Sequence, residues 1–198
     1  HDPFAGEGAL PQEAKRLGAQ CFYDLPTGYW RAKLRILEVE KKRFPEWQNT
    51  MPGLINSNEK LARKDEEIKL ADRIFVASEF TASTLKDFPG TLPPVEIIPY
   101  GYPSVGPVRE YVKNTRQLPI KLLFVGNLSQ QKGIANLFKA VEAFGKRVSL
   151  TLIGRKSVDD CAVLNTELSK HRWIPSLPHH KILQLMREHD VLVFPTLF

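Results

Sequence analysis

The residues whose types and spacing suggest chemistry fall into a few short stretches. The clearest is Gly126-Asn127-Leu128-Ser129-Gln130-Gln131-Lys132-Gly133, which links an apolar run to a striped helical pattern. A glycine at the end of a strand lets the backbone turn and approach a ligand closely. A helix starting near Gly133 offers unpaired amide N–H groups and the positive end of its dipole. Lys132 adds a full charge at the same place, and together these describe a seat for a phosphate or diphosphate. The spacing is neither a Walker loop, which needs Gly-Lys-Ser/Thr, nor Gly-x-Gly-x-x-Gly. The plain alternative is a strand-to-helix turn with a solvated lysine.

A second stretch, Gly154-Arg155-Lys156, follows the next apolar run and puts two more cations on the same expected edge. Exposed loop cations are the alternative. A third, Pro175 to His180, carries the pair His179-His180. No third and fourth ligand accompanies them at metal-site spacing, so no metal is expected. His189 lies on an apolar stripe and reads as a core histidine. In the first half, Asp24 ends a short strand, and Ser78-Glu79 and Tyr100-Gly101 should share its edge. A carboxylate there would bind a hydroxyl or take its proton; alternatively Asp24 caps a helix starting at Thr27. Local spacing supports no Ser/His/Asp or Cys/His arrangement.

The elements that must position these groups alternate along the chain. Helices are expected over residues 9–17, from Thr27 to Phe44, over 59–71 and over 80–88. Strands are expected at 20–23, 74–77 and 95–98. Trp30, Leu34, Leu37 and Phe44 share one face of the second helix. Its other positions carry Arg31, Lys33, Arg35, Lys41, Lys42 and Arg43, a solvated face or a surface for an acidic membrane. Residues 45–58 read as loop, and Ser78 reads as a helix cap. Pro103, Gly106, Pro107 and Pro119 punctuate a polar stretch that marks a domain boundary.

Beyond it, strands are expected at 120–125, 148–153, 171–174 and 191–194. Helices are expected at 134–144, 159–169 and around Ile182 to His189. Strand–helix alternation with buried strands indicates parallel sheets in an α/β fold.

Composition sets outer limits. The chain has 198 residues, 42% hydrophobic and 25% charged, which excludes disorder as the main state. No apolar run approaches a bilayer span, and no leader pattern stands at the N-terminus. Cys21 and Cys161 read as buried free thiols, which implies a reducing, cytoplasmic setting. The net charge of +6 is uneven. Residues 1–105 hold 14 Lys+Arg and 15 Asp+Glu, whereas 106–198 hold 14 and 7. The positive half favours an anionic ligand. Nucleic acid is not expected, because the cations are scattered without interleaved aromatics. The start at His1 and the stop at Phe198, straight after a strand-like run, are expected of a segment of a longer protein.

Several strings together resemble family 4 (group 1) glycosyltransferases: Leu123 to Leu137 around Gly126, Lys132 and Gly133; Leu150 to Gly154; His189 to Thr196; Leu70 to Ser78; and Ile97 to Gly101. The resemblance covers roughly residues 19–198. It implies the GT-B architecture, α/β with two Rossmann-like domains with parallel sheets facing a cleft, both incomplete in this chain. Residues 1–105 would be the acceptor-side domain, 106–118 a linker and 119–198 the start of the donor domain.

The resemblance also implies transfer of a sugar from a nucleotide-diphosphate donor to a glycan, lipid-linked or other hydroxyl acceptor. Configuration would be retained, without metal or cofactor. Donor-binding positions would be Gly126, Asn127, Lys132, Gly133, Gly154, Arg155, Leu177 and His179. Acceptor-side positions would be His1, Asp24, Tyr29, Glu79 and Gly101, with Asp24 and Lys132 in catalytic roles. A peripheral contact at the inner membrane face is a further expectation.

Three departures stand out. Asn127 replaces a frequent arginine, so one phosphate cation is missing or is supplied elsewhere, with Arg155 the candidate. Asp24 replaces a frequent histidine, and the family's Glu-Gly-Phe-Gly segment is not present. The reading in another class is a non-catalytic Rossmann-like module that binds a nucleotide or anion.

Overall fold

The computed structural model describes residues 10–51, 57–102 and 119–198. His1, the Pro52-Gly53 pair and the expected linker over 106–118 lie outside them. The chain divides into two compact units, His1–Ile36 with Gly53–Pro103, and Leu37–Pro52 with Ser104–Phe198.

The first unit carries helix α1 (Leu10–Arg16) and strand β1 (Phe22–Leu25). Helix α2 (Trp30–Arg43) follows and contributes residues to both units. Helix α3 (Asn58–Leu70), strand β2 (Arg73–Val76), helix α4 (Glu79–Thr84) and strand β3 (Val95–Ile97) complete the first unit. The three strands pair in parallel in the order β1-β2-β3, with Asp24 opposite Phe75 and Val76 opposite Ile97. Tyr23 and Leu25 point to the core, and Phe22 and Asp24 to the exposed face, as the period of two requires. Leu25, Tyr29, Ile68, Ile74, Val76, Leu85 and Phe88 form that core. Ser78 caps α4 by accepting from Thr81 N–H at 3.1 Å, as its type and place suggested.

A buried carboxylate holds this unit together. Asp65 accepts from the Tyr29 hydroxyl at 2.6 Å, from Trp30 Nε1 at 2.6 Å and from Arg31 Nη2 at 2.7 Å. Arg31 also lies 4.2 Å over the Trp30 ring. Burial alone would raise the Asp65 pKa. The hydrogen bonds from Tyr29, Trp30 and Arg31 outweigh it and hold the carboxyl below its ordinary range. The basic face of α2 is therefore only partly a solvated one. Arg35 pairs with Asp87 at 3.0 Å and Arg43 with Glu40 at 2.6 Å. The helix begins at Trp30, not Thr27, and the Tyr29 N–H donates to Thr84 Oγ1 at 2.8 Å. Asp24 lies within β1 and is not a helix cap.

In the second unit, β4 (Ile120–Val125), α5 (Ile134–Phe144), β5 (Val148–Ile153), α6 (Ala162–Ser169), β6 (Arg172–Ile174), α7 (His179–Glu188) and β7 (Val191–Leu192) alternate. The sheet is parallel, in the order β6-β5-β4-β7. The chain steps one way from β4 through β5 to β6, then back across to β7. Residues 45–58 were expected to be loop, yet Pro45–Thr50 form a short 3-10 helix. Its Trp47 stacks on Phe138 at 5.8 Å between ring centroids, and Phe138 stacks on His171 at 5.6 Å. Phe44, Trp47 and Met51 are buried, each worth about 1.5–3 kcal/mol. The last strand was expected to be buried over 191–194. It is instead a two-residue edge strand with Val191 44% and Leu192 49% exposed, and among the described residues β4 alone pairs with it. His189 is a core histidine, with Nδ1 2.7 Å from Leu185 O and Nε2 3.1 Å from Thr151 Oγ1. Both cysteines are free; Cys161 is buried and Cys21 half-buried.

Two glycines bring the strand ends of this sheet together. Gly126 N–H donates to Ile153 O at 2.9 Å, and Gly154 N–H to Ile174 O at 3.0 Å. Both have strongly positive φ, +152° and +153°. A β-carbon at 154 would stand 1.8 Å from Gly126 O, whereas one at 126 meets only the Phe124 ring at 3.7 Å.

Two outcomes are expected from unfolding experiments. Gly154→Ala should cost roughly 3 kcal/mol, by overpacking against backbone as well as strain. Gly126→Ala should cost only about 1–2 kcal/mol, the strain alone. Equal urea midpoints for the two variants would refute the close-approach argument. For Asp65, the folded pKa lies below the unfolded one, so its ionisation stabilises the fold. That stabilisation is complete above the ordinary carboxylate value near about 4 and is lost as pH falls through the folded value. Asp65→Asn should therefore lower stability at neutral pH and flatten the acid limb of a stability–pH curve; an unchanged acid limb would count against the hub.

Candidate functional site

An open parallel sheet binds ligands beyond its carboxyl edge, where the direction of chain stepping reverses. In the second unit that reversal falls between β4 and β7. The loop leaving β4 runs from Gly126 to Gly133 and feeds α5. Its backbone is pinned on both sides. Leu128 N–H donates to Arg155 O at 2.9 Å, and Leu128 bridges in parallel to Lys156. On the other side, Leu197 N–H donates to Gln131 O at 3.1 Å. Gly133 has φ +70°, and a β-carbon there would stand 2.1 Å from Pro195 O. The glycine is thus required by conformation and by contact.

Within the loop, Gln130–Lys132 make one 3-10 turn, and Gly133 leads directly into α5. Lys132 is half-buried, with its Nζ 3.5 Å from Phe198 O. Asn127, five residues earlier in the loop, is exposed. Arg155 is also exposed, and its carbonyl is hydrogen-bonded to the same loop, so a second cation borders the turn. Lys156 is tied down: its Nζ donates to Asn165 Oδ1 at 2.5 Å and lies 4.8 Å over the Trp173 ring. Trp173 Nε1 in turn donates to Gly154 O at 2.9 Å. Gly126, Asn127, Lys132, Gly133, Gly154 and Arg155 therefore occupy two adjoining loops of one edge. Leu177 and His179 belong to the loop and first helical residue after β6, two strands away from β4. Among the described residues, no cluster of three or more His, Cys, Asp or Glu is arranged to hold a metal ion.

Sequence reading passed over Gln130. It is fully buried, and its side chain reaches both Ala135 N–H and Glu40. A polar residue in a Gly/Ser/Gln-rich loop gives no sign of burial, and Glu40 lies 90 residues away.

In the first unit, Asp24, Glu79 and Gly101 lie at or just beyond the carboxyl edge of the three-stranded sheet, and all three are exposed. Tyr29 does not join them. It is 1% exposed and packs in the core with its hydroxyl on Asp65, which corrects the expectation of an acceptor-side contact. Tyr100 and Tyr102 are 65% and 83% exposed near the same edge. Among the described residues, no helix is long and apolar enough to cross a membrane.

Residues 109–197 match the family model described as Glycosyl transferases group 1. Among solved structures, the chain is similar to the lipopolysaccharide outer core galactosyltransferase WaaB in its apo form. That match has 14% identity and a TM-score of 0.50, and covers 93% of this chain and 52% of the other. It is also similar to a UDP-glucosyltransferase from Polygonum tinctorium capable of glucosylating indoxyl, in complex with 3,4-dichloroaniline. There the identity is 14% and the TM-score 0.43, over 93% of this chain and 50% of the other. A comparison with curated protein sequences returned no match. The chain spans about half the length of the solved structures it resembles. Its fold is the GT-B kind of α/β architecture, with parallel sheets in both units, and residues 109–197 carry the pattern of the group 1 glycosyltransferases.

Proposed function

We propose that this chain is part of a glycosyltransferase that moves a sugar from a nucleotide-diphosphate donor to a hydroxyl acceptor, with retention of configuration. The observation that carries this reading is the backbone pairing of the Lys132 loop with the Arg155 segment, through Leu128 N–H to Arg155 O, beside the start of α5, where the stepping of the sheet reverses. Gly154 leaves room for the carbonyl of Gly126, so the two loops close on each other and carry Lys132 and Arg155 on adjoining backbone. During transfer, the bond from the sugar's anomeric carbon to the diphosphate breaks and one to the acceptor oxygen forms. Negative charge accumulates on the leaving diphosphate, and fixed cations at that point lower the barrier. In this reading Lys132 meets that charge, and Arg155 takes the place of the arginine that Asn127 lacks.

The acceptor would be met by the exposed carboxyl edge of the first unit, with Asp24 and Glu79 accepting hydrogen bonds from its hydroxyls. The loop Pro175 to His179 would border the nucleobase. A glycan, a lipid-linked sugar or another hydroxyl compound remains within this reading. Ion pairing of Arg31, Arg35 and Arg43 weakens the case for a membrane-binding face on α2.

Calorimetric titration with UDP, GDP and ADP tests the donor seat. One of the three should bind, and Lys132→Ala should weaken that binding roughly 10- to 100-fold, since a charge-assisted contact contributes about 1.5–3 kcal/mol. The same substitution should leave the unfolding free energy within about 0.5 kcal/mol, because the side chain is not in the core. Undiminished affinity in the variant would sink the assignment.

A further inference from the structure

We propose that Gln130 is the positioning residue of the diphosphate seat, and that Glu40 and Thr50 set its orientation. The proposal rests on the donor reading above and adds a residue group outside it.

Every polar group of Gln130 is committed, although its side chain is fully buried. Its N–H donates to Thr50 Oγ1 at 3.1 Å, and the Thr50 hydroxyl donates onward to Trp47 O at 2.8 Å. Its carbonyl accepts from Gly133 N–H at 2.9 Å. Its Oε1 accepts from Ala135 N–H at 2.9 Å, and its Nε2 donates to Glu40 Oε2 at 2.6 Å. Glu40 is itself buried, and its other oxygen accepts from Arg43 Nη1 at 2.6 Å.

The arrangement has a direction. An ionised carboxylate only accepts, so Glu40 must face the NH2 end of the glutamine. The oxygen end is thereby turned to Ala135, the second residue of α5 and one of the orphan donors at a helix start. Gln130 lies two residues before Lys132, inside the same 3-10 turn. One buried side-chain amide therefore ties the turn to the helix start on one side and to Glu40 on the other, while Thr50 holds the backbone N–H of the same residue. Unpaired buried polar groups are costly, so removing the amide strands Ala135 N–H and Glu40 and leaves the turn held by its backbone bonds alone. The Lys132 ammonium is then held less firmly where it would meet a diphosphate.

The test uses this chain with Gln130→Ala, Gln130→Glu, Glu40→Ala and the reciprocal pair Gln130→Glu with Glu40→Gln. Two readouts are taken on each folded protein: hydrogen exchange of backbone amides over 127–136, and calorimetric titration with UDP, GDP and ADP. Each single substitution should speed exchange across the turn and weaken nucleotide binding by about tenfold. Glu40→Ala supplies the answer if Gln130→Ala fails to fold. The reciprocal pair restores one carboxylate to accept from Ala135 N–H and one amide to donate to it, so exchange and affinity should both return towards the parent. A merely structural residue would lower the unfolding midpoint and leave the affinity of the folded protein unchanged. Unaltered affinity in Glu40→Ala and Gln130→Glu, or a reciprocal pair no better than Gln130→Glu, would overturn the proposal. If the parent chain binds none of the three nucleotides, the donor reading falls and this role with it. Parent binding with unaltered variants removes this role alone.

Discussion

The carbonyl oxygen of Gly126 stands 1.8 Å from where a β-carbon on residue 154 would have to be. That single exclusion governs the carboxyl edge of the second sheet. It allows the backbone after β4 to close against the backbone after β5, and so lets Leu128 pair with the Arg155–Lys156 segment. A side chain at 154 would force the two loops apart. Lys132 and Arg155 thus stand on two loops whose backbones are hydrogen-bonded to each other, an approach that Gly154 permits.

Each unit also depends on one buried polar centre that is fully paired. In the first unit it is Asp65, which gathers Tyr29, Trp30 and Arg31 from the start of α2. In the second it is Gln130, held by Glu40, Thr50 and Ala135. Among the described residues, no buried side-chain nitrogen or oxygen is left without a hydrogen-bond partner. Such centres specify a single arrangement, because any alternative packing would strand a desolvated charge or amide. Residues near them that look like surface features, such as Arg31 and Arg43, are drawn into service as partners.

Much of the fold was legible before any coordinates. The strands over 120–125 and 148–153 and the helix over 134–144 appear with the expected bounds, because their apolar periodicities are unbroken and long. The Ser78 cap and the core role of His189 were legible for the same local reason. The misreadings share another cause. Tyr29 looked like a site residue and is core; residues 45–50 looked like loop and are a packed turn; residues 191–194 looked buried and end as an exposed edge strand. In each case the outcome depends on a neighbour distant in sequence: Asp65 for Tyr29, Phe138 for Trp47, and β4 for β7, its one partner among the described residues.

By itself, the sequence determined the α/β class, most element positions and the two cationic, glycine-bearing loops, because periodicity, capping and turn chemistry act over a few residues. It could not determine that Gly126 and Gly154 touch, that Arg155 borders the Lys132 turn, or that Glu40 orients Gln130. Those relations join residues 23 to 90 positions apart. They arise only when the strand order β6-β5-β4-β7 is set, since hydrogen-bonded register, and not local propensity, decides which loops become neighbours.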